Sequence, residues 1–467
     1  MNDPPIDDRL APKLLLAVFL PFATGYFLSF FFRNVNAVIA KDLARDFALT
    51  PSELGLLTSA YLFAFALAQL PVGVLLDRYG PRRVMASLLC VAGCGALTFG
   101  LAQDFIVLTL GRALIGLGVS AGLMGAIKGF SLWFPPSRLA TLNGWYLAVG
   151  GIGGMSATAP VEAMLGTIGW RALFYGLAVL SLLAAAFIFT AVPEKSLPGK
   201  HGTWAEQFGR LSEVFSRIDF WRIALPLVAS HATYQALQGL WLGPWLADVA
   251  GMQRPAVANT LFASAFAYTL GSVFFGITSD RLARHGISRL TVYKIGLTLA
   301  LAAFTGLWLD VQTGRFAIIV AYGFTVISVA LAYTLFTTRF PPEMTGRVNT
   351  ASNVLMFGAS FACQWGIGEV LKQYPVTDGR YAPEGYALAF GILALAQLAA
   401  LAWLWPMKDE KRCQANTRVT SPSLLLPVRC SPSALASARR SRCLSARSTR
   451  TPAWATRRSA SRSPSGS

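Results

Sequence analysis

An all-α membrane protein of twelve helices, arranged as two pseudosymmetric six-helix halves, is the fold class that this sequence predicts, on three observations. The first is composition: 54% of the 467 residues are hydrophobic and 13% charged, with a mean hydropathy of +0.51, too apolar for a soluble domain. The second is spacing. Apolar runs of roughly 20 residues, the length that crosses ~30 Å of hydrocarbon, recur about twelve times between polar breaks, whereas the short alternating segments of a β-barrel do not occur. The third is repetition. Gly73-Val74-Leu75-Leu76-Asp77-Arg78-Tyr79-Gly80-Pro81-Arg82-Arg83 lies between the second and third runs, and Gly276-Ile277-Thr278-Ser279-Asp280-Arg281 repeats its Gly-x-x-x-Asp-Arg spacing in the second half.

Taken in order, residues 1–13 are polar and carry no cleavable signal pattern, so the first run is expected to stay as a membrane helix. Helices are expected near 14–40, 52–76, 84–102, 105–132, 139–165 and 171–192, and again near 222–247, 257–279, 290–309, 315–338, 347–371 and 385–406. The domains follow: a six-helix bundle over 14–192, a linker over 193–221, a second bundle over 222–407 and a basic tail over 408–467. Phe134-Pro135-Pro136 closes the fourth helix and Phe340-Pro341-Pro342 the tenth, since paired prolines stop one helix and start the next. Gly118-x-x-x-Gly122 and Gly150-x-x-x-Gly154 have the spacing of close helix packing.

Charge sets the expected orientation. With the N-terminus inside, nineteen Lys and Arg fall in inside segments, against seven outside: Lys41, Arg45, Arg171, Arg254, Arg315, Lys372 and Arg380. That asymmetry places both termini in the cytoplasm. In the linker, Trp204, Phe208, Leu211, Phe215 and Ile218 recur at steps of four and three; they predict an amphipathic helix on the inner membrane face, with a soluble linker helix as the alternative.

The formal charge of +18 invites a nucleic-acid partner, but its distribution excludes one. Ten arginines follow Arg412 and no acid follows Glu410; without them 30 basic residues face 22 acids, ordinary loop charge. From Cys413 onward the sequence turns to Ser, Arg, Ala and Pro without periodicity, the composition of a disordered or out-of-frame tail. Cys90, Cys94 and Cys363 lie in apolar helices and Cys413, Cys430 and Cys443 in the tail, without metal-ligand spacing. No cofactor or metal is expected.

These features resemble the major facilitator superfamily over about residues 13–407. Gly73 to Arg83 looks like its signature between helices two and three, Gly276 to Arg281 like the weaker second copy, and Arg112-Ala113-Leu114-Ile115-Gly116-Leu117-Gly118 like its fourth-helix motif. The resemblance implies two bundles rocking around a central cavity: a secondary transporter of the cytoplasmic (inner) membrane, monomeric, embedded in lipid and not an enzyme. It makes Gly73, Asp77, Arg78, Gly80, Arg82, Arg83, Arg112, Asp280 and Arg281 conformational residues. The family's fifth-helix antiporter signature, Gly-Pro followed by paired glycines, is replaced by Ala159-Pro160-Val161-Glu162, which disfavours a drug/proton antiporter.

A charge at membrane depth costs at least ~2.5–3.5 kcal/mol on insertion scales, so each needs a reason. Arg33 ends the run Tyr26-Phe27-Leu28-Ser29-Phe30-Phe31-Phe32, with Asn34 and Asn36 following; a guanidinium there either clamps a carboxylate or phosphate or snorkels to outer headgroups. The pattern is similar to the first helix of organophosphate:phosphate antiporters, and Lys128 matches a basic position in their fourth helix. Their second arginine, in the seventh helix, is replaced here by His231, Tyr234, Gln235 and Gln238. The expected substrate residues are therefore Arg33, Lys128, Tyr26, Asn36, His231, Gln235 and Gln364, with His231 available to couple transport to protons. The function expected is movement of a small organic anion, either a carboxylate or a phosphate ester. An exporter of amphipathic molecules and a transport-derived sensor are the alternatives.

Overall fold

A computed structural model of the chain describes residues 12–194, 211–377 and 379–408. The helical stretch Pro51–Leu101, 51 residues long, shows how the spans are made. At ~1.5 Å per residue it would be roughly 76 Å long if straight, more than twice the hydrocarbon thickness. Gly80 interrupts it with φ 81° and ψ 160°, a conformation open to glycine, and Pro81 starts the next helix with its φ already set. Packing confirms the reversal. A Cβ on Gly116 would meet the Tyr61 carbonyl at 2.2 Å and one on Gly118 the Ala92 nitrogen at 2.3 Å, so residues on both sides of Gly80 touch the same turn of the following helix. Gly169, at φ 69°, divides Ala159–Ala191 in the same manner.

Divided at those glycines, the described residues form twelve long segments. They are α1 (Leu15–Asn34), α2 (51–79), α3 (81–101), α4 (Phe105–Trp133), α5 (136–168), α6 (170–191), α7 (218–248), α8 (Arg254–Arg284), α9 (Arg289–Trp308), α10 (Arg315–Arg339), α11 (Pro342–Leu371) and α12 (Pro383–Leu404). Ten spans among the described residues are long and apolar enough to cross a membrane by length and composition. Pro136–Ser156 of α5 and all of α7 lie outside that set. In α7, Pro226 sits inside the helix and Leu237–Trp241 forms a π-helical turn. Irregular backbone at membrane depth is tolerated where it is buried in protein or lines a cavity.

Several element ends differ from expectation. α1 is followed directly by a helix over Asn36–Asp46, longer than the expected limit at residue 40. α7 opens at Ile218, because Arg217 takes extended backbone (φ −88°, ψ 121°) and separates it from the short helix Leu211–Phe215; Ile218 therefore belongs to α7 and not to a continuous linker helix. Residues 195–210 of that expected helix, and the tail from Cys413, lie outside the described residues. Between α11 and α12 stands a small antiparallel pairing, Val376 with Tyr381 and Thr377 with Arg380, closed by Gly379 at φ 70°.

The two halves repeat their packing. In the first, Gly116 of α4 lies against the Tyr61 carbonyl of α2 and Gly118 against Ala92 of α3; in the second, a Cβ on Gly271 of α8 would meet the Phe324 carbonyl of α10 at 2.2 Å, and one on Gly296 of α9 would meet Ser328 of α10 at 2.3 Å. Small residues thus let helices two, three and four of each half approach mostly backbone to backbone, where van der Waals contact replaces the missing hydrophobic drive. Gly150 and Gly154 pack similarly, against Tyr26 and Asn34 of α1. α3, α6, α9 and α12 expose Leu97, Leu183, Leu299 and Leu395, each over 40% accessible, surface suited to lipid. Between the halves, the helix after α1 meets α7 at Gly243 and the Ala37 carbonyl, α2 meets α11 at Gly55 and the Gln364 carbonyl, and α5 meets α8 at Gly151 and Thr269.

Candidate functional site

Arg33 lies where α1, α2 and α11 converge. Its guanidinium carbon stands 4.8 Å from the Phe30 ring centroid, 5.2 Å from Phe65 and 5.1 Å from Phe357. Phe30 is one turn back on α1, so helical spacing alone puts it there; Phe65 and Phe357 are brought by folding, one from each half. Arg33 is only 8% exposed, and its buried Nε has no hydrogen-bond partner. Ring faces offset part of the cost of burying the charge, yet they accept no strong hydrogen bond from Nε. A buried donor in that condition carries a desolvation penalty until an acceptor arrives.

His231 and Gln235 approach from α7. The His231 ring meets the edge or face of Phe357 at 6.1 Å, 80° between planes, and its buried Nε2 is unpartnered. A methyl group on Gly239 would lie 3.2 Å from Gln364 Nε2, 3.3 Å from Gln235 Nε2 and 3.6 Å from the Arg33 carbonyl. The missing Cβ of one glycine is therefore what lets two carboxamides, one from α7 itself and one from α11, converge beside the Arg33 backbone. Gln364 Oε1 is buried without a partner, while its own carbonyl accepts from Trp241 Nε1 at 2.7 Å. Tyr234 and Tyr268 stack close by, centroids 4.7 Å apart and planes 8° from parallel.

Three other expected residues have contacts of their own. Tyr26, 5% exposed, stacks on Tyr146 at 4.3 Å and lies edge-on to Phe30 at 4.9 Å, next to the ring that faces Arg33. Asn36 is fully buried and donates from Nδ2 to Thr58 Oγ1 at 3.2 Å, joining the helix after α1 to α2. Lys128 pairs its ammonium with Asp77 and donates to the Leu76 carbonyl at 2.9 Å. Arg33, His231, Gln235 and Gln364 form one group, which Tyr26 joins through Phe30; Lys128 stands with the α2–α3 hairpin.

That hairpin engages the end of α6. Arg82 Nε donates to the Phe189 carbonyl at 2.8 Å with its guanidinium 4.8 Å from the Phe189 ring, so a cation complements the negative end of a helix dipole. Arg83 pairs with Glu194, Arg78 lies 5.4 Å from the Tyr79 ring, and Gly73 is a half-buried position within α2. In the second half Asp280 pairs with Arg289 at 2.9 Å while Arg281 is exposed. Arg112 is 1% exposed and stands 4.9 Å from the Tyr61 ring, its Nε and Nη1 unpartnered.

A second cluster, unmarked by any motif, lies at the opposite end of the spans. Arg254, at the start of α8, reaches Asp42 with Nη1 at 2.9 Å and Nη2 at 2.8 Å, and Glu162 of α5 with Nε at 3.0 Å. Lys41 donates to Asp248 at 2.6 Å, and Asp248 also accepts from the Tyr386 hydroxyl at 3.1 Å and the Tyr381 amide at 3.3 Å. Burial, and then the Asp248 carboxylate, push the Tyr381 phenol up to about 12. Ser52 of α2 donates to Glu369 of α11. The Trp170 indole N–H donates to Asp46 at 2.9 Å and holds that carboxyl below its ordinary value. Lys41–Asp248, Arg254–Asp42 and Arg254–Glu162 join the two halves at this end, whereas Asp77–Lys128, Arg83–Glu194 and Asp280–Arg289, at the other, each stay within one half.

Against known proteins, the chain is 26% identical over 284 residues to a probable sulfoacetate transporter of Cupriavidus necator, covering 55% of this chain and 63% of that one. It is 30% identical over 226 residues to a nitrate/nitrite transporter of a Picosynechococcus species, covering 42% of each. The chain thus spans less than two-thirds of the length of either relative. Among solved structures, a D-xylose–proton symporter superposes with a TM-score of 0.68 at 16% identity, over 84% of this chain and 97% of that one, which is a likeness of fold. Residues 22–363 match the family description as a single stretch, most of both helical halves, and the chain belongs to the Major Facilitator Superfamily.

Proposed function

We propose that the chain is a secondary active transporter that moves a small organic anion, a carboxylate or a phosphate ester, by alternating access with both termini in the cytoplasm. The observation that carries this reading is Arg33: a charged group 8% exposed, enclosed by Phe30, Phe65 and Phe357, with an unpartnered Nε and no ion pair among the described residues. A headgroup-seeking arginine would place its guanidinium toward water. The relatives named for sulfoacetate and for nitrate/nitrite support an anionic cargo. The cross-half ion pairs at the end bearing Lys41 and Arg254 support a conformation closed on the outside, in which cargo would leave toward the cytoplasm.

The test is equilibrium binding of anions to purified protein, with Arg33→Lys, Arg33→Ala and Lys128→Ala compared at two salt concentrations. A charged hydrogen bond contributes ~1.5–3 kcal/mol, so Arg33→Ala should weaken anion binding about ten- to a hundredfold. Arg33→Lys keeps the charge but loses the planar fork. Lys128→Ala should have the smaller effect, its ammonium being held by Asp77. Undiminished binding by Arg33→Ala, or a best ligand that is cationic, defeats the proposal; uptake into proteoliposomes separates a carrier from a sensor.

A further inference from the structure

We infer that the Arg33 site takes a singly charged anion with an apolar, ring-bearing body, and that Phe65 and Phe357 set this selectivity; the inference rests on the anion reading above and narrows it. Charge supplies the first argument. Arg33 is the cation at the meeting of α1, α2 and α11; Lys128 is held by Asp77, and Arg112 is buried at Tyr61, 1% exposed. One buried guanidinium balances one negative charge. A second charge on the ligand would have to sit in a site whose other polar groups are neutral carboxamides, Gln235 and Gln364, and such groups orient a ligand without compensating its charge. His231 is the remaining titratable group beside Phe357, and an ordinary imidazole is mainly uncharged above about pH 7.

Shape supplies the second argument. The walls next to the guanidinium are ring faces: Phe30, Phe65 and Phe357 around Arg33, with Phe65 and Phe357 themselves 4.3 Å apart between centroids, and the parallel Tyr234–Tyr268 pair near the carboxamide side. An aromatic or alicyclic body packs on such faces with the offset and edge geometries that rings favour. Phe65 belongs to the first half and Phe357 to the second, so the ring wall is complete only while α2 and α11 are together, and the body of the ligand would be gripped by both halves at once.

The experiment uses four probes of one ring size at pH 7.5: benzoate, terephthalate, benzamide and benzylammonium, titrated against the full chain in detergent by calorimetry. Benzoate should bind at least tenfold more tightly than terephthalate or benzamide, and benzylammonium should not bind. Phe357→Leu should weaken benzoate about tenfold while Phe357→Tyr retains it, a rescue that separates a ring contact from general loss of folding. Terephthalate binding as tightly as benzoate overturns the inference but leaves the anion reading intact; if His231→Gln abolishes that dianion binding, the second charge comes from His231. Binding of none of the ring acids also overturns the inference, with the anion reading still decided by the Arg33 variants, whereas preference for benzylammonium defeats both.

Discussion

Gly239 has the most specific consequence of any single residue. With Gln364 Nε2 at 3.2 Å, Gln235 Nε2 at 3.3 Å and the Arg33 carbonyl at 3.6 Å from where its Cβ would be, a methyl group there is tolerated only if both carboxamides give by a few tenths of an ångström. α7 can accept alanine on backbone grounds, since glycine within a helix is less favourable than alanine by about 1 kcal/mol. Gly239→Ala is therefore expected to leave thermal stability equal or slightly higher while weakening anion binding several-fold, read by a melting curve beside a titration. A variant that loses both equally would show that the glycine serves packing and not the arrangement of the two amides.

Among elements, the α2–α3 hairpin and the helix end it grips are expected to act on rate. Asp77 is bound here by Lys128 of α4, within the same half. If the halves rock, the partner that Asp77 takes in the opposite state is the N-terminus of α11, whose dipole and free N–H groups favour a carboxylate; Lys128 and α11 would then compete for one acid. Asp77→Asn should slow transport while changing anion affinity less than about twofold, and Lys128→Ala should alter the rate in the same assay. Rate by proteoliposome uptake and affinity by binding distinguish this from a substrate role, which would lower affinity in parallel.

At the scale of the whole molecule, the halves are joined through Arg254, Asp42 and Glu162, together with Lys41 and Asp248. The Arg254 side chain is 48% exposed, so each of its pairs is worth only ~0.2–1 kcal/mol, and losing both should shift the balance between states by about twofold to thirtyfold. Arg254→Ala is expected to lengthen the distance between spin labels placed on the helix after α1 and on the first turn of α8, measured by electron–electron resonance, with a larger outward-open fraction. An unchanged distribution would remove the clamp from the mechanism. A truncation after Arg412 should fold, insert and transport like the full chain, checked by membrane fractionation and uptake, because the sequence from Cys413 has no periodicity with which to pack in a bundle.

How much of this was legible in the sequence depends on the range of the interaction involved. Hydropathy fixed the membrane class and nearly all the spans, because a bilayer acts on each run of ~20 residues independently of the others; Gly80-Pro81 and the two Phe-Pro-Pro stops marked reversals because backbone conformation is a local property. Arg33 stood out as a charge that membrane depth makes costly, and helical spacing alone brought Phe30 to it. Phe65 and Phe357 could not be found that way: they lie on helices 32 and 324 residues further along, and an aromatic residue in an apolar helix carries no mark of what it faces. The same holds for Arg254, which reads as one more outside basic residue until folding brings Asp42 and Glu162 to it, and for Lys128, whose sequence position carries no mark of the Asp77 carboxylate that folding sets beside it. A residue's type and its depth in the membrane follow from the chain itself, but which charges meet, and which stay unpaired, is settled only when the two halves are packed together, since electrostatic and ring contacts at 3–6 Å depend on positions that hydropathy does not encode.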